Sequence, residues 1–264
     1  MKLGLSTASF YPLETELALE QIGKMGIKNT EIFFNAECEL KPAFIDILGD
    51  IIDHYGITVS AVHPTMSLAE SFMFFSAYDR RFYEGLKQYA RYSEIAAELG
   101  AKYIIMHGGK PNGILSDEEY CERYMALNRE TTKNGVYVLQ ENVVHHRSGD
   151  IEFLRSMLDI LGSDAKFCLD IKQSIRSGFD PQGLLEEFYP NIHHLHISDH
   201  SLAGDCLLPL NGNFNFEGFF KFLNENHYDG SAVIEVYSSI YKDYSEITAS
   251  FGGLQKILKG ESND

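Results

Sequence analysis

Short apolar runs rich in β-branched and aromatic residues alternate along the chain with longer stretches in which apolar residues recur every three or four positions. A short run of this kind predicts a buried strand, and the longer spacing predicts an amphipathic helix. Eight strands are predicted, at residues 3–7, 29–34, 58–63, 102–107, 136–141, 166–170, 192–197 and 232–236.

Helical segments separate these strands, and the clearest are at 15–24, 83–99, 117–132, 151–161, 216–226 and 244–258. Gly26, Gly56, Gly100 and Gly135 stand just before a strand, where the C-cap of a helix is expected. Strands that alternate with helices over ~250 residues predict one closed α/β barrel. We therefore expect residues 1–264 to form a single domain, a (β/α)8 TIM barrel.

Composition and charge narrow the class of protein. The 264 residues are 44% hydrophobic, enough for a full core, and 38 acidic against 22 Lys and Arg residues give a net charge of −16. An acidic chain is a poor match for the phosphate backbone of nucleic acid. The four cysteines form no Cys-x-x-Cys pair, and no apolar stretch approaches the ~20 residues that span a bilayer. We expect a cytoplasmic protein with reduced thiols and with neither a nucleic-acid nor a membrane partner.

Ionisable side chains stand at the ends of the predicted strands. Five strands end in such a residue and a sixth carries one inside it: His63, His107, Glu141, Asp170, His196 and Glu235. In an eight-stranded α/β barrel the catalytic groups come from the carboxyl ends of the strands. A single polar residue at a strand end usually caps a helix or faces solvent. The prediction of a site therefore depends on all six residues taken together.

Burying several carboxylates and imidazoles in one concave site is costly unless a cation offsets their charge. Two Glu, one Asp and one His form an oxygen-rich donor set with one imidazole. This set suits Mn²⁺ or Mg²⁺, and less specifically Zn²⁺ or Co²⁺. The sequence therefore predicts one divalent metal ion.

The order and spacing of the strand-end motifs resemble the xylose isomerase-like TIM barrels, which include sugar epimerases, inositol-catabolism enzymes and endonuclease-IV-like nucleases. The motifs are His107-Gly108, Gln140-Glu141-Asn142, Leu169-Asp170-Ile171-Lys172, His194-Leu195-His196-Ile197-Ser198-Asp199 and Val233-Ile234-Glu235. The resemblance covers nearly the whole chain. It implies a metal ion held by Glu141, Asp170, His196 and Glu235.

The resemblance also implies that Glu141 and Glu235 are the acid/base pair. A metal ion polarises a carbonyl group, one carboxylate removes the neighbouring carbon-bound proton, and the other returns a proton from the far side. An aldose–ketose isomerisation, in which the proton moves along one face of the substrate, would need only one such base.

Two departures from the resemblance matter. The epimerases and nucleases carry a His three residues after the Asp, where this chain has Gln173. The nucleases also need an Asp-x-His triple after the seventh strand, and residues 198–207 contain none. Together with the net charge, the missing ligands argue against a nuclease.

Further residues could contact a substrate. By the resemblance His63 and His107 line the substrate pocket, with a structural hydrogen-bonding role as the alternative. Lys172, two residues beyond Asp170, would project the same way if the strand continues. Gln173 stands where the family has its His, and Arg147 and Arg176 are each expected in a loop after a strand. The cationic ones could meet a substrate oxyanion or phosphate, or pair with a carboxylate at the barrel rim. Glu31, on the second strand, is a candidate partner for a histidine.

Three functions follow from these observations. The first is a divalent-metal-dependent isomerase or epimerase that acts on a small sugar or sugar phosphate. The second is a metal-dependent dehydratase or lyase on a polyhydroxylated substrate. The third is a catalytically silent ligand-binding barrel, which would have no physical need for the costly polar cluster. A homo-oligomer is compatible with the sequence, but no pattern specifies it.

Two segments are harder to interpret. Residues 64–79 are rich in Met and Phe, Met66 among them, and could form a lid or simply pack over the barrel mouth. Residues 260–264 are expected to fray.

Overall fold

The computed structural model describes residues 1–65 and 69–261. Its strands are β1 (Lys2–Ser6), β2 (Asn29–Phe33), β3 (Thr58–His63), β4 (Tyr103–Met106), β5 (Tyr137–Glu141), β6 (Phe167–Asp170), β7 (Ile192–Ile197), β8 (Asp199–Ser201), β9 (Gly204–Leu207) and β10 (Ser231–Ile234). Strands β1–β7 and β10 pair in parallel and close into a barrel, with β10 between β7 and β1. The predicted (β/α)8 barrel is confirmed, and each predicted strand is found within two residues of its expected ends.

The helices are α1 (Thr15–Lys24), α2 (Pro42–Tyr55), α3 (Glu70–Met73), α4 (Asp79–Glu98), α5 (Asp117–Thr131), α6 (Ile151–Leu161), α7 (Ile171–Arg176), α8 (Pro181–Phe188), α9 (Phe216–Glu225) and α10 (Tyr244–Lys259). A helix of eight or more residues follows each barrel strand before the next one. Two helices, α2 and α8, are not among those expected from the sequence, and both begin with proline in the first turn, a position that proline favours.

Glycines end several helices before the next strand. Gly26, Gly56, Gly100 and Gly135 all have positive φ angles, between 60° and 81°. Because glycine has no Cβ, it reaches this left-handed conformation without steric cost and turns the chain back toward the barrel. The predicted C-caps are confirmed.

A small apolar layer fills the barrel below its carboxyl-terminal mouth. Ala61, Ile105, Leu139 and Cys168 are buried together there. Each stands two positions before one of the strand-end residues predicted for the site, and side chains two apart on a strand point to the same side. The polar residues of the predicted site therefore lie directly above this apolar layer.

An antiparallel hairpin of β8 and β9 interrupts the β/α alternation between β7 and α9. This hairpin was not expected from the sequence, because strands of three and four residues are too short to show a clear alternation. The hairpin brings Asp205 to the barrel mouth beside Arg176 of α7.

The described part of the apolar segment after β3 packs against the barrel. Phe74 and Phe75 are buried, whereas Phe72 is exposed. This favours the packing interpretation over a lid. Met66 lies outside the described residues, as do residues 262–264 of the expected tail, and Gly260 ends α10 with a positive φ. No described helix is long and apolar enough to cross a membrane.

Candidate metal centre and active site

The structure brings the four predicted metal-binding residues together. Glu141, Asp170, His196 and Glu235 each offer a ligand atom, and these atoms all lie within 4.8 Å of one another. The residues come from the ends of β5, β6 and β7 and from the position just after β10. Parallel strands end at the same rim of a barrel, so side chains far apart in sequence converge there.

His196 lies at the centre of this cluster. Its Nδ1 atom is 3.2 Å from Glu141 Oε1 and 3.3 Å from Glu235 Oε2. Burial disfavours the charged imidazolium, but Cys168 and the surrounding carboxylates outweigh it and raise the pKa of His196 well above its ordinary value. A ligand nitrogen must be deprotonated to bind a metal ion, so metal binding here would release a proton.

Glu31 contacts the ring nitrogen of His196 that faces away from the other carboxylates of the cluster. Its Oε2 atom is 2.9 Å from His196 Nε2 and 3.1 Å from His194 Nε2, and its Oε1 atom accepts a hydrogen bond from the Ser6 hydroxyl. Burial would raise the pKa of the Glu31 carboxyl, but the two histidines hold it far below its usual range. The expected contact between Glu31 and a histidine is present. A carboxylate behind a ligating histidine fixes the ring and makes it a better ligand.

Two carboxylate oxygens in the cluster are buried without a hydrogen bond. Asp170 Oδ1 caps α7 by accepting the backbone N–H of Gln173, which leaves Asp170 Oδ2 facing the cluster without a hydrogen-bond partner. Glu141 Oε2 is 3.0 Å from His107 Nε2, but the contact lacks hydrogen-bond geometry. Buried polar atoms normally have a partner. Orphaned carboxylate oxygens beside an imidazole nitrogen therefore fit a divalent cation.

Lys172 is a buried cation at the edge of the cluster. Its Nζ atom donates to Glu235 Oε2 at 3.2 Å and lies 3.4 Å from Asp170 Oδ2. Burial alone would lower the pKa of the ammonium, but these two carboxylates raise it well above its ordinary value. The same ammonium helps to hold the pKa of Glu235 well below its usual range, against the effect of burial. Lys172 and Glu235 are therefore both charged.

His63 and His107 contact the opposite side of Glu141. Their Nε2 atoms lie 3.0 Å apart, and His107 Nε2 is 3.0 Å from Glu141 Oε2. Burial would lower the pKa of His107, but Glu141 and Glu70 outweigh it and raise that pKa. The Glu141 and Glu70 carboxylates therefore favour the protonated form of the His107 ring.

Glu70 was not recognised from the sequence, although an acidic residue inside an apolar segment is a usable signal. Its Oε2 atom accepts the backbone N–H groups of His107 and Gly108 at 2.8 and 2.9 Å, and its Oε1 atom accepts the Tyr89 hydroxyl at 2.7 Å. Burial raises the pKa of this carboxyl. Glu70 thus fixes the end of β4 and with it the His107 ring.

The remaining predicted residues differ in their surroundings. Gln173 Oε1 accepts the backbone N–H of Val144 and so links the loops after β5 and β6. Arg147 donates to the Leu115 carbonyl and pairs with Asp117 at the start of α5, so the structure does not bring it into the cluster. Arg176, expected in a loop, is instead the last residue of helix α7, and it pairs with Asp205.

A cavity of about 300 Å³ opens beside Glu235. It is lined by Ala8, Tyr11, Phe33, Asn35, Lys172, Glu235, Val236 and Tyr237. This volume suits a small molecule. Tyr11 and Tyr237 were not among the residues expected at the site, and their only signal in the sequence is that they lie shortly after the first and last barrel strands. A larger cavity, about 530 Å³, lies between α9 and α10 on the outside of the barrel, away from the cluster.

The family model of the xylose isomerase-like TIM barrels matches residues 19–254. The chain belongs to this family. As a xylose isomerase-like barrel it is similar to solved and curated relatives, all at low identity. It superimposes on a D-tagatose 3-epimerase-like protein with a TM-score of 0.80, at 20% identity over 98% of this chain and 99% of that one. The 3-keto-D-glucoside 4-epimerase YcjR of E. coli gives a TM-score of 0.78, at 18% identity over 97% and 99%.

A curated relative of this xylose isomerase-like barrel is named inosose dehydratase, from Clostridium beijerinckii. It is 24% identical over 258 residues, which are 83% of this chain and 81% of that protein. At such identities the structural likenesses show a shared fold, and the reaction has to be argued from the site.

Proposed function

We propose that the protein is a divalent-metal-dependent isomerase or epimerase that acts on a sugar or sugar phosphate. The observation that carries the proposal is the convergence of three carboxylates and one imidazole within 4.8 Å, next to a cavity that Glu235 lines. The likeness to sugar epimerases supports it.

Glu141, Asp170, His196 and Glu235 would hold one ion, of Mn, Zn, Mg or Co. When bound, such an ion polarises a substrate carbonyl and lowers the pKa of the adjacent carbon-bound proton. Glu235 lines the cavity and is ionised, so its carboxylate can accept that proton.

The other proton carrier is the pair of Glu141 and His107. His107 Nε2 lies 3.0 Å from Glu141 Oε2 and its surroundings favour the protonated ring, so this pair would return a proton to the substrate carbon. Lys172 Nζ, beside Glu235, can donate a hydrogen bond to a substrate oxygen as negative charge develops on it. The residues therefore offer both a base and an acid, as an epimerisation requires.

The experiment has two parts. Purified protein dialysed against Mn²⁺ or Zn²⁺ should retain about one ion per chain, and a protein that holds no stoichiometric ion would contradict the metal role. Glu235→Gln should then abolish the exchange of solvent deuterium into a ketose substrate while the fold is retained. Glu225→Gln, on the exposed outer surface of α9, is the matched control. Normal exchange in the Glu235 variant would remove this residue from the role of base.

A dehydratase or lyase is the second candidate, favoured by the position of Lys172. An ammonium 3.2 Å from the base could protonate a departing β-hydroxyl group after the carbon-bound proton is removed, so that water leaves. The likeness to inosose dehydratase is in line with this chemistry. Product analysis across ketoses, inososes and sugar phosphates separates the two reactions, because only the lyase loses water.

A further inference from the structure

We infer that the cavity beside Glu235 selects an uncharged, non-phosphorylated substrate, because Asp205 occupies the guanidinium group of Arg176 that would otherwise bind a phosphate. The inference deepens the proposed function and rests on it, since it takes this cavity as the place where the substrate binds. It names Asp205, on the β8–β9 hairpin, as a specificity-determining residue.

The wall of the cavity offers little positive charge to a phosphate group. Lys172 is the one cationic residue among the described residues that line the cavity. Its positive charge is already shared by the Glu235 and Asp170 carboxylates, at 3.2 and 3.4 Å, which leaves one N–H donor for a substrate oxygen but no free counter-charge for a phosphate. A phosphate dianion needs charge-assisted hydrogen bonds to replace its hydration. The cavity wall therefore has no uncommitted cation to offer.

Arg176 does not line the cavity itself but contacts a residue of its wall. Its Nη1 atom donates to the Tyr237 hydroxyl at 2.9 Å, and Tyr237 lines the cavity. Its other two donor atoms, Nε and Nη2, bind Asp205 Oδ2 and Oδ1 at 2.6 and 3.1 Å. This two-pronged geometry is the one by which arginine binds phosphate. Asp205 thus fills the position that a substrate phosphate would need.

The walls of the cavity are largely aromatic and aliphatic. Tyr11, Phe33 and Tyr237 present aromatic surfaces to the cavity, beside Ala8 and Val236. Such walls suit the C–H face of a neutral polyhydroxy compound. They do not compensate an ionised group for its lost hydration. The net charge of −16 adds a long-range repulsion of anions. All three observations favour a neutral substrate.

The experiment compares D-fructose with D-fructose 6-phosphate, and adds inorganic phosphate, by calorimetric titration of the Mn²⁺-loaded protein. The wild type should bind fructose 6-phosphate no more tightly than fructose. Asp205→Ala should raise the affinity for fructose 6-phosphate and for phosphate by about tenfold or more, since it releases a charged donor pair. The affinity for fructose should not change. Any phosphate bound directly by the metal ion is common to both proteins and cancels in the comparison.

Two further variants sharpen the comparison. The gain should disappear in Asp205→Ala/Arg176→Gln, because the released guanidinium is then absent. Glu187→Ala is the matched control: Glu187 binds Arg155 in the same two-pronged way on the outer surface, and its loss should leave phosphate affinity unchanged. If Asp205→Ala fails to fold, Asp205→Asn removes the charge and keeps the shape.

The inference is wrong if the wild type binds fructose 6-phosphate more tightly than fructose, or if neither Asp205 variant gains affinity for a phosphate ligand. Failure of the proposed function gives a different result, namely no stoichiometric metal ion and no deuterium exchange with any sugar. In that case the change in phosphate affinity still reports whether Asp205 masks Arg176.

Discussion

Replacement of Glu31 by Gln should weaken metal binding without touching any of the four proposed ligands. The fully buried carboxylate contacts His196 Nε2 at 2.9 Å and His194 Nε2 at 3.1 Å. Exchange of a charge-assisted hydrogen bond for a neutral one costs about 1–1.5 kcal/mol. The uncharged amide also makes the imidazole a poorer ligand. The total corresponds to a loss of metal affinity of about 10- to 100-fold.

The assay is a competition between the protein and a chelator of known affinity, with circular dichroism to verify the fold. Glu39→Gln is the matched control, because Glu39 is also buried and accepts the backbone N–H of Asn35 and the hydroxyl of Thr15, outside the cluster. Wild-type affinity in Glu31→Gln, or an equal loss in Glu39→Gln, would refute the reasoning.

Two predictions concern stability. Gly108 has a φ of +88°, and a Cβ there would lie 2.1 Å from the Tyr120 hydroxyl, so Gly108→Ala should lower the free energy of unfolding by more than about 1 kcal/mol. Gly49→Ala, in α2 with nothing within 4 Å of the added methyl group, should raise it by about 0.5–1 kcal/mol, and denaturant titration measures both. Burial, followed by Lys166, lowers the pKa of His193 from 6.5 to about 4. The unfolded chain therefore takes up this proton first, and the free energy of unfolding should fall as the pH drops from 6.5 to 4. His193→Gln should make that fall shallower, and an unchanged slope would contradict the assignment.

The architecture and the candidate ligands could be predicted from the sequence because both depend on local order. Strand alternation, helical spacing and the glycine C-caps follow from backbone preferences that act over a few residues. Once eight strands are counted, the closed barrel dictates that their carboxyl ends meet, so Glu141, Asp170, His196 and Glu235 are expected at one rim. The contact of Glu31 with a histidine follows from the same geometry.

Contacts between loops could not be predicted in this way. Lys172, Arg147 and Arg176 are similar in sequence terms, each a cation shortly after a strand, yet their partners differ completely. Lys172 enters the cluster, and Arg147 is held by Asp117 of the neighbouring helix. A side-chain pair across two loops depends on the path of each loop, which no periodicity records.

The sequence by itself determined the barrel, the strand ends at which chemistry is expected, and the residue types that could hold a metal ion. Only the tertiary structure decided which charges remain uncommitted. Asp205 reaches Arg176 through a short hairpin without a sequence signature, and Glu70 reaches His107 from a helix of four residues. The physical reason is that local preferences fix secondary structure within a few residues, whereas the electrostatics of a site depends on distances of 3 Å between segments far apart in the chain.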